Sequence, residues 1–330
     1  MDWGVPVKSG DLTPGLGSMD WLAVWVQAPA PGRLHLLAHA LRAAGGRGLE
    51  SDDGGNRVVA YFPPPIQRTP FMAELRAAIR SATGEPDPWL EARWLSEDEL
   101  SGRWRAGLGS RRVSSRIQIV PDDGKVAPAE GSPTEDEIRI RLTPGPAFGQ
   151  GDHPTTRLAL SLLDGTLTPG ERVLDLGTGS GILAIAAARL GARQVLAVES
   201  DGPSVVHARR NVELNELAAV VEIRELLATP HRLRALVSPS RRLQEDHDGG
   251  LLDGVMANLE PQVLDSLLPA AAGVLRRGGW LLVTGVPRGD LSGLRSRIDE
   301  LGLEVYRERE EGGWWAGLLD TGRGHSRPCP

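Results

Sequence analysis

Short apolar runs alternate with helical stripes along most of this chain, and the style of alternation changes once. Between Trp21 and Trp94 the pattern predicts a strand (21–27), a helix (32–44), a short strand near Leu49, a strand (56–62), a helix (70–82) and a strand (90–94). That β-α-β-β-α-β order predicts a small α+β domain of ferredoxin-like type, with helices on one face of its sheet. In the first strand Trp21, Ala23 and Trp25 share one face, and Leu22, Val24 and Val26 share the other. The tryptophans are expected to pack into the core instead of forming a binding surface. No chemistry is visible in this part of the chain.

Residues 96–116 turn polar and charged around a single large anchor, Trp104, and read as a linking helix or loop. A strand (117–120), a loop rich in Pro, Asp and Glu (121–137) and another strand (138–142) follow. Beyond them a sustained α/β alternation predicts strands near 172–176, 194–199, 220–224, 252–257, 280–285, 303–309 and 314–319. Helices are expected near 155–163, 182–190, 202–215, 262–275 and 288–301. Together these make an α/β domain with a seven-stranded, Rossmann-like sheet. Its last two strands are joined at Glu310-Glu311-Gly312-Gly313, a turn suited to a hairpin. The expected division is a flexible tail (1–18), a leading domain (19–95), a linker (96–116) and a large domain (117–330), with a surface insertion over 227–248.

Composition narrows the class. The 330 residues are 40% apolar, enough for two real cores. A net charge of −6 offers no basic excess for direct nucleic-acid binding and suits a basic protein partner. The single cysteine, Cys329, rules out a disulfide framework and a thiolate metal site, and no metal is expected. No apolar run reaches membrane-spanning length and the start does not resemble a signal sequence, so a cytoplasmic location is expected. Lys8 and Lys125 are the two lysines, which an arginine-rich bias explains more simply than avoidance of self-modification.

The candidate chemistry begins at Asp175-Leu176-Gly177-Thr178-Gly179-Ser180-Gly181. This stretch follows Arg172-Val173-Leu174 and leads into Ile182-Leu183-Ala184-Ile185-Ala186, so it reads as a strand, a glycine turn and a helix. In a doubly wound sheet that junction holds a nucleotide-type ligand. A dinucleotide fingerprint, G-x-G-x-x-G, brings backbone amides against a pyrophosphate at the helix N-terminus. Here the glycines fall at 177, 179 and 181 behind the Asp175 carboxylate. That arrangement is poor for an anion and better for a ligand carrying a cationic amino acid and a sulfonium. Glu199 closes the next apolar strand, where a carboxylate can accept hydrogen bonds from both ribose hydroxyls. S-adenosyl-L-methionine satisfies all of these features, whereas the glycine run alone is equally an ordinary strand-to-helix turn.

Two more segments carry candidate residues. In Phe148-Gly149-Gln150-Gly151-Asp152-His153-Pro154-Thr155-Thr156 the glycines permit a tight backbone, and the threonines either cap the next helix or meet a ligand. Asn258, in Met256-Ala257-Asn258-Leu259-Glu260-Pro261, lies at the carboxyl end of a predicted strand, where open α/β sheets bind ligands. Its amide oxygen can orient an amine by accepting its hydrogen, or the residue simply caps the next helix.

Residues 144–158, 173–186 and 257–259 together resemble the ribosomal protein L11 methyltransferase family, with the Phe-Gly-x-Gly-x-His-Pro-Thr-Thr run as the selective element. The resemblance is close over about residues 138–320 and covers the leading domain only in order and size. It implies a class I methyltransferase fold and methyl transfer from S-adenosyl-L-methionine to lysine ε-amines and an N-terminal amine of ribosomal protein L11. The leading domain would then recognise the substrate. Thr156, Gly177, Glu199 and Asn258 would contact the cofactor, with Asp175, Gly179 and Gly181 shaping its loop and Asn258 as the catalytic, amine-orienting residue. Asp152 or His153 are candidate proton acceptors. Gln150 and Asp152 replace the threonines usual in that run, Glu199 stands where Asp is commoner, and Glu260-Pro261 alters the segment after Asn258. These departures bear on which amines are modified. Competing readings are a methyltransferase acting on another protein's lysine, an NAD-dependent oxidoreductase, which the glycine spacing disfavours, and a non-catalytic ribosome-binding module.

Overall fold

The computed structural model describes residues 20–27, 33–51, 57–64, 66–96, 99–100, 102, 110–122, 137–145, 147–236 and 252–320. The chain divides into two compact units, 1–103 and 104–330. The tail at 1–18, Trp104, most of the loop at 121–137 and residues 237–248 of the expected insertion lie outside the described residues.

The first unit contains β1 (Trp21–Gln27), α1 (Leu34–Ala43), β2 (Arg47–Ser51), β3 (Arg57–Phe62), α2 (Arg68–Thr83) and β4 (Leu90–Leu95). Its sheet runs β2-β3-β1-β4 with every pair antiparallel, the ferredoxin-like order. Leu22, Val24 and Val26 form its core face together with Leu37 and Leu41 of α1 and Leu75 and Ile79 of α2. The tryptophan expectation is corrected here. Trp21 and Trp25 are half-buried on the opposite face, because period-two alternation sends them away from the helices that cover their neighbours.

The second unit opens with β5 (Arg111–Arg112), β6 (Ile117–Pro121) and β7 (Ile138–Leu142), a three-stranded sheet with β6 and β7 parallel. β5 falls inside the stretch expected to link the domains. Then come α3 (Pro154–Asp164), β8 (Arg172–Leu176), α4 (Ile182–Arg189), β9 (Gln194–Glu199), α5 (Gly202–Leu214) and β10 (Val221–Glu225). The chain continues through α6 (Pro230–Leu236), β11 (Leu252–Asn258), α7 (Pro261–Gly273), β12 (Leu275–Pro287), α8 (Leu291–Glu300), β13 (Glu304–Glu311) and β14 (Trp314–Asp320). Two boundaries differ from the sequence expectation. A helix, α6, occupies part of the 227–248 stretch, and β12 begins at Leu275 because Leu252 of β11 recruits that residue into the ladder.

The large sheet runs β10-β9-β8-β11-β12-β14-β13, parallel except for β14, which is antiparallel to both neighbours. Buried side chains alternate between its faces: Val173 joins one core, and Leu174 and Leu176 join the other. Gly312 and Gly313, with φ of 57° and 80°, supply the two left-handed positions that a two-residue hairpin turn requires. The strand order reverses between β8 and β11, so a crevice at the carboxyl ends of β8, β9 and β11 is the place for a ligand. Among the described residues no helix is long and apolar enough to cross a membrane.

Candidate functional site

Three segments distant in sequence meet at that reversal. The glycine turn leaves β8 with φ of 70° at Gly177, 55° at Gly179 and 85° at Gly181, backbone conformations that side chains strain to adopt. Space makes the same demand. A Cβ on Gly179 would lie 2.5 Å from the Phe148 carbonyl oxygen, and one on Gly177 would lie 2.5 Å from Leu259 Cδ2. The turn is therefore packed between the 147–151 loop and the segment after Asn258.

Ser180 holds the loop in place. Its backbone N–H donates to the Phe148 carbonyl at 2.8 Å, and its hydroxyl donates to the Gly149 carbonyl at 2.6 Å. The sequence marked Ser180 only as a residue between glycines; nothing in the pattern announced it as the link to a loop some thirty positions earlier.

The acidic residues have different environments. Asp175 is buried, and its Oδ2 accepts the Thr178 hydroxyl at 2.6 Å. Its Oδ1 is buried with no hydrogen-bond partner. Burial pushes its pKa up to about 7 against the pull of the Thr178 hydrogen bond, with a further upward push from the Glu199 charge and a downward one from the Ala184 amide. Glu199, at the end of β9, is anchored by backbone amides: Gly179 N–H donates to Oε2 at 3.1 Å, and Ser200 and Asp201 N–H donate to Oε1 at 2.8 and 3.0 Å. Those bonds fix the carboxylate beside the glycine turn.

The threonines separate in role. His153 caps α3, its Nδ1 accepting the Thr155 N–H at 3.3 Å and lying 2.8 Å from the Thr155 hydroxyl. Thr155 is thus absorbed by the cap. Thr156 is fully buried, and its hydroxyl has no hydrogen-bond partner.

Because Nδ1 accepts from an amide, a neutral His153 ring carries its proton on Nε2 and cannot take another there. The ring also lies edge-on to Phe148 and Trp314, at 5.2 and 4.9 Å between centroids. Asp152 is exposed, and its backbone carbonyl accepts from Arg157, which donates through Nε to Glu311 at 2.9 Å. The β13–β14 hairpin tip therefore braces the loop, a contact that the sequence did not signal. Gln150 turns inward and donates to the Ala147 carbonyl at 3.2 Å.

Asn258 ends β11, half-buried, paired with Thr284 of β12 and one step beyond the Ala257–Leu176 pair. That places it beside the start of the glycine turn. Gly285, with φ of 90°, lets the Leu259 backbone pass where a Cβ would lie 2.3 Å from its carbonyl oxygen.

All the residues picked from the sequence, Thr156, Asp175, Gly177, Gly179, Gly181, Glu199 and Asn258, lie on these converging segments. Three buried polar atoms on these segments, Gln150 Oε1, Thr156 Oγ1 and Asp175 Oδ1, have no hydrogen-bond partner. Each such atom costs about 1–3 kcal/mol unless a ligand completes it. Two carboxylates and an open hydroxyl fit a ligand that brings hydrogen-bond donors and positive charge, and they oppose a pyrophosphate. Among the described residues no cluster of His, Cys, Asp and Glu could hold a metal ion.

The sequence profile of the ribosomal protein L11 methyltransferase (PrmA) family matches residues 44–320. The chain belongs to that family. Within the family, the "Ribosomal protein L11 methyltransferase" of Chloroflexus aurantiacus is 37% identical over 285 residues, covering 83% of this chain and 85% of that one. Its counterpart from Pelotomaculum thermopropionicum is 30% identical over 323 residues, covering 90% and 98%. The crystal structure of a ribosomal protein L11 methylase from Lactobacillus delbrueckii subsp. bulgaricus matches with a TM-score of 0.51 and 28% identity, over 64% of this chain and 97% of that one. The family is one of class I, S-adenosylmethionine-dependent methyltransferases, and the mostly parallel seven-stranded sheet above agrees with that class.

Proposed function

We propose that this chain methylates lysine ε-amines and the N-terminal amine of ribosomal protein L11 in the cytoplasm, with S-adenosyl-L-methionine as donor. The observation that carries this reading is the Ser180 bridge, which bonds the Phe148–Thr156 loop, the family's selective segment, to the generic glycine turn. When bound, the donor supplies a methyl group on a cationic sulfur. Thr156, Asp175, Glu199 and Asn258 would hold it together with the backbone of Gly177, Gly179 and Gly181.

The remaining work falls on the acceptor amine. A lysine with a reference pKa of about 10.4 is mostly protonated at neutral pH, so a site must favour proton loss. Burial does this without a dedicated base, and the cap geometry of His153 speaks against that side chain as the acceptor. Asn258 then orients the amine through its amide oxygen, which makes positioning the main source of rate. The first unit, with no catalytic cluster of its own among the described residues, would recognise the protein substrate. The net charge of −6 suits a basic partner and disfavours direct nucleic-acid binding.

Incubation with labelled S-adenosyl-L-methionine and total ribosomal protein tests the proposal, with the labelled species identified by mass spectrometry. Label on L11 is the expected result. A second reading, the same chemistry on a different protein's lysine, draws support from Gln150, whose amide is turned inward to the Ala147 carbonyl, and from the exposed Asp152. Label on another protein would favour it, and no label on any protein would favour a non-catalytic binding role.

A further inference from the structure

α5 and the residue that caps its carboxyl end present His207, Asn211 and Asn215 on one stripe, at i, i+4 and i+8, and all three are buried. A surface helix rarely buries three polar side chains on one face unless each is bonded. Asn215 reaches β7 and its own helix: its Oδ1 accepts the Arg141 N–H at 3.0 Å, and its Nδ2 donates to the Arg141 carbonyl at 2.7 Å and to the Asn211 carbonyl at 2.8 Å. His207 Nε2 lies 2.9 Å from the Thr143 carbonyl, so that nitrogen carries the proton. Burial lowers the His207 pKa against the pull of this hydrogen bond, with Arg210 adding to the lowering, which keeps the ring neutral.

Asn211 differs from both because it reaches two segments beyond its own helix. Its Oδ1 accepts from the Thr143 N–H at 2.9 Å and from the Thr143 hydroxyl at 2.8 Å, while its Nδ2 donates to the Ser180 carbonyl at 2.9 Å. The Thr143 N–H can only donate, which fixes the oxygen on that side and leaves the nitrogen for Ser180. Ser180 in turn holds Phe148 and Gly149. Asn211 therefore ties the start of the 143–156 segment to the glycine turn from behind, and Ser180 ties its middle from the front.

We infer that Asn211 is a positioning residue for the methyl-donor site, setting the distance between the glycine turn and the loop that leads into α3 and Thr156. This rests on the donor reading proposed above. It acts through Ser180 and Thr143 and has no contact with reacting atoms.

The test compares Asn211→Ala with Asn215→Ala. Both remove a buried amide from the same helix and strand junction, and the Asn215 side chain bonds to the Arg141 backbone and the Asn211 carbonyl instead of to the glycine turn. Calorimetry of the full chain with S-adenosyl-L-methionine is expected to show about a tenfold or greater loss of affinity for Asn211→Ala and a change within about twofold for Asn215→Ala, at similar losses of melting temperature. In turnover, the KM for the donor should rise in the first variant while the KM for the protein substrate stays put. Equal weakening in both variants, or unchanged affinity in Asn211→Ala, overturns the inference. Should Asn211→Ala not fold, Asn211→Asp keeps the acceptor for Thr143 and removes the donor to Ser180, and it must weaken donor binding for the inference to stand. Failure of the unaltered protein to bind the donor would instead overturn the underlying reading, and the inference with it.

Discussion

The two ends of β8 bury the same kinds of residue and leave them in opposite states. At its amino end the Arg172 N–H donates to Asp253 Oδ2 at 2.7 Å, Arg276 pairs with that same carboxylate, and Trp280 Nε1–H donates to Glu171 Oε2 at 2.9 Å. Near its carboxyl end, three residues after Arg172, Asp175 Oδ1 is buried without a partner, and so is Thr156 Oγ1 on α3. Burying a charge without full pairing is costly, so a fold tolerates it only where something else repays the cost. The satisfied end is scaffold, and the unsatisfied end is where the proposed donor would bind.

The comparison breaks most readily at the scaffold end. Trp280→Ala removes one of the largest fully buried side chains and strands Glu171, and should lower unfolding free energy by about 3–5 kcal/mol in denaturant melts. The fraction that stays folded should bind S-adenosyl-L-methionine normally. A parallel loss of affinity would mean that the two ends are not separable.

Titration of Asp175 is the next largest expected effect. Its carboxyl has a pKa near 7 in the fold and near 3.8 when unfolded, so between those values the native state holds a proton that the unfolded chain has lost. Its contribution to stability is therefore complete below the lower value and is lost as pH rises towards 7, by up to about 4 kcal/mol. Denaturant melts against pH should show this slope in the unaltered protein and a flatter profile in Asp175→Asn. Identical slopes would show that Asp175 is not desolvated.

Asn258→Ala should leave stability within about 0.5 kcal/mol, since the side chain is only half-buried, and should reduce kcat by about 10- to 100-fold. Turnover and donor affinity that both stay near normal would remove Asn258 from the mechanism. The smallest effect belongs to the hairpin brace. Glu311→Gln breaks a partly exposed pair with Arg157 and should cost under about 1 kcal/mol. Its effect should shrink as salt is added to thermal melts, and an effect that ignores salt would assign the brace to packing of His153 against Trp314 instead.

Much of the fold was legible because local patterns and tertiary needs agree. Arg172-Val173-Leu174-Asp175-Leu176 reads as a buried strand from its composition, and Gly312-Gly313 reads as a tight hairpin from the chemistry of its turn. The parity of the first strand is legible, but bulk argues for core packing of Trp21 and Trp25, whereas the core lies on the face of Leu22, Val24 and Val26 and leaves the tryptophans half-buried. The short β5 is two residues long and exists through its pairing with β6, and the early start of β12 exists through pairing of Leu275 with the distant Leu252, so neither carries a periodic pattern of its own.

The sequence by itself determined the α/β alternation, the glycine turn and the acidic residues that flank it, since these follow from periodicity and from the backbone freedom of glycine over a few neighbouring positions. Only the tertiary structure decided that Ser180 grips Phe148 and Gly149, that Thr155 is used up in a cap while Thr156 is left open, and that Asn211 braces the turn from behind. Hydrogen-bond satisfaction depends on which groups meet across the fold, and no local pattern records those meetings.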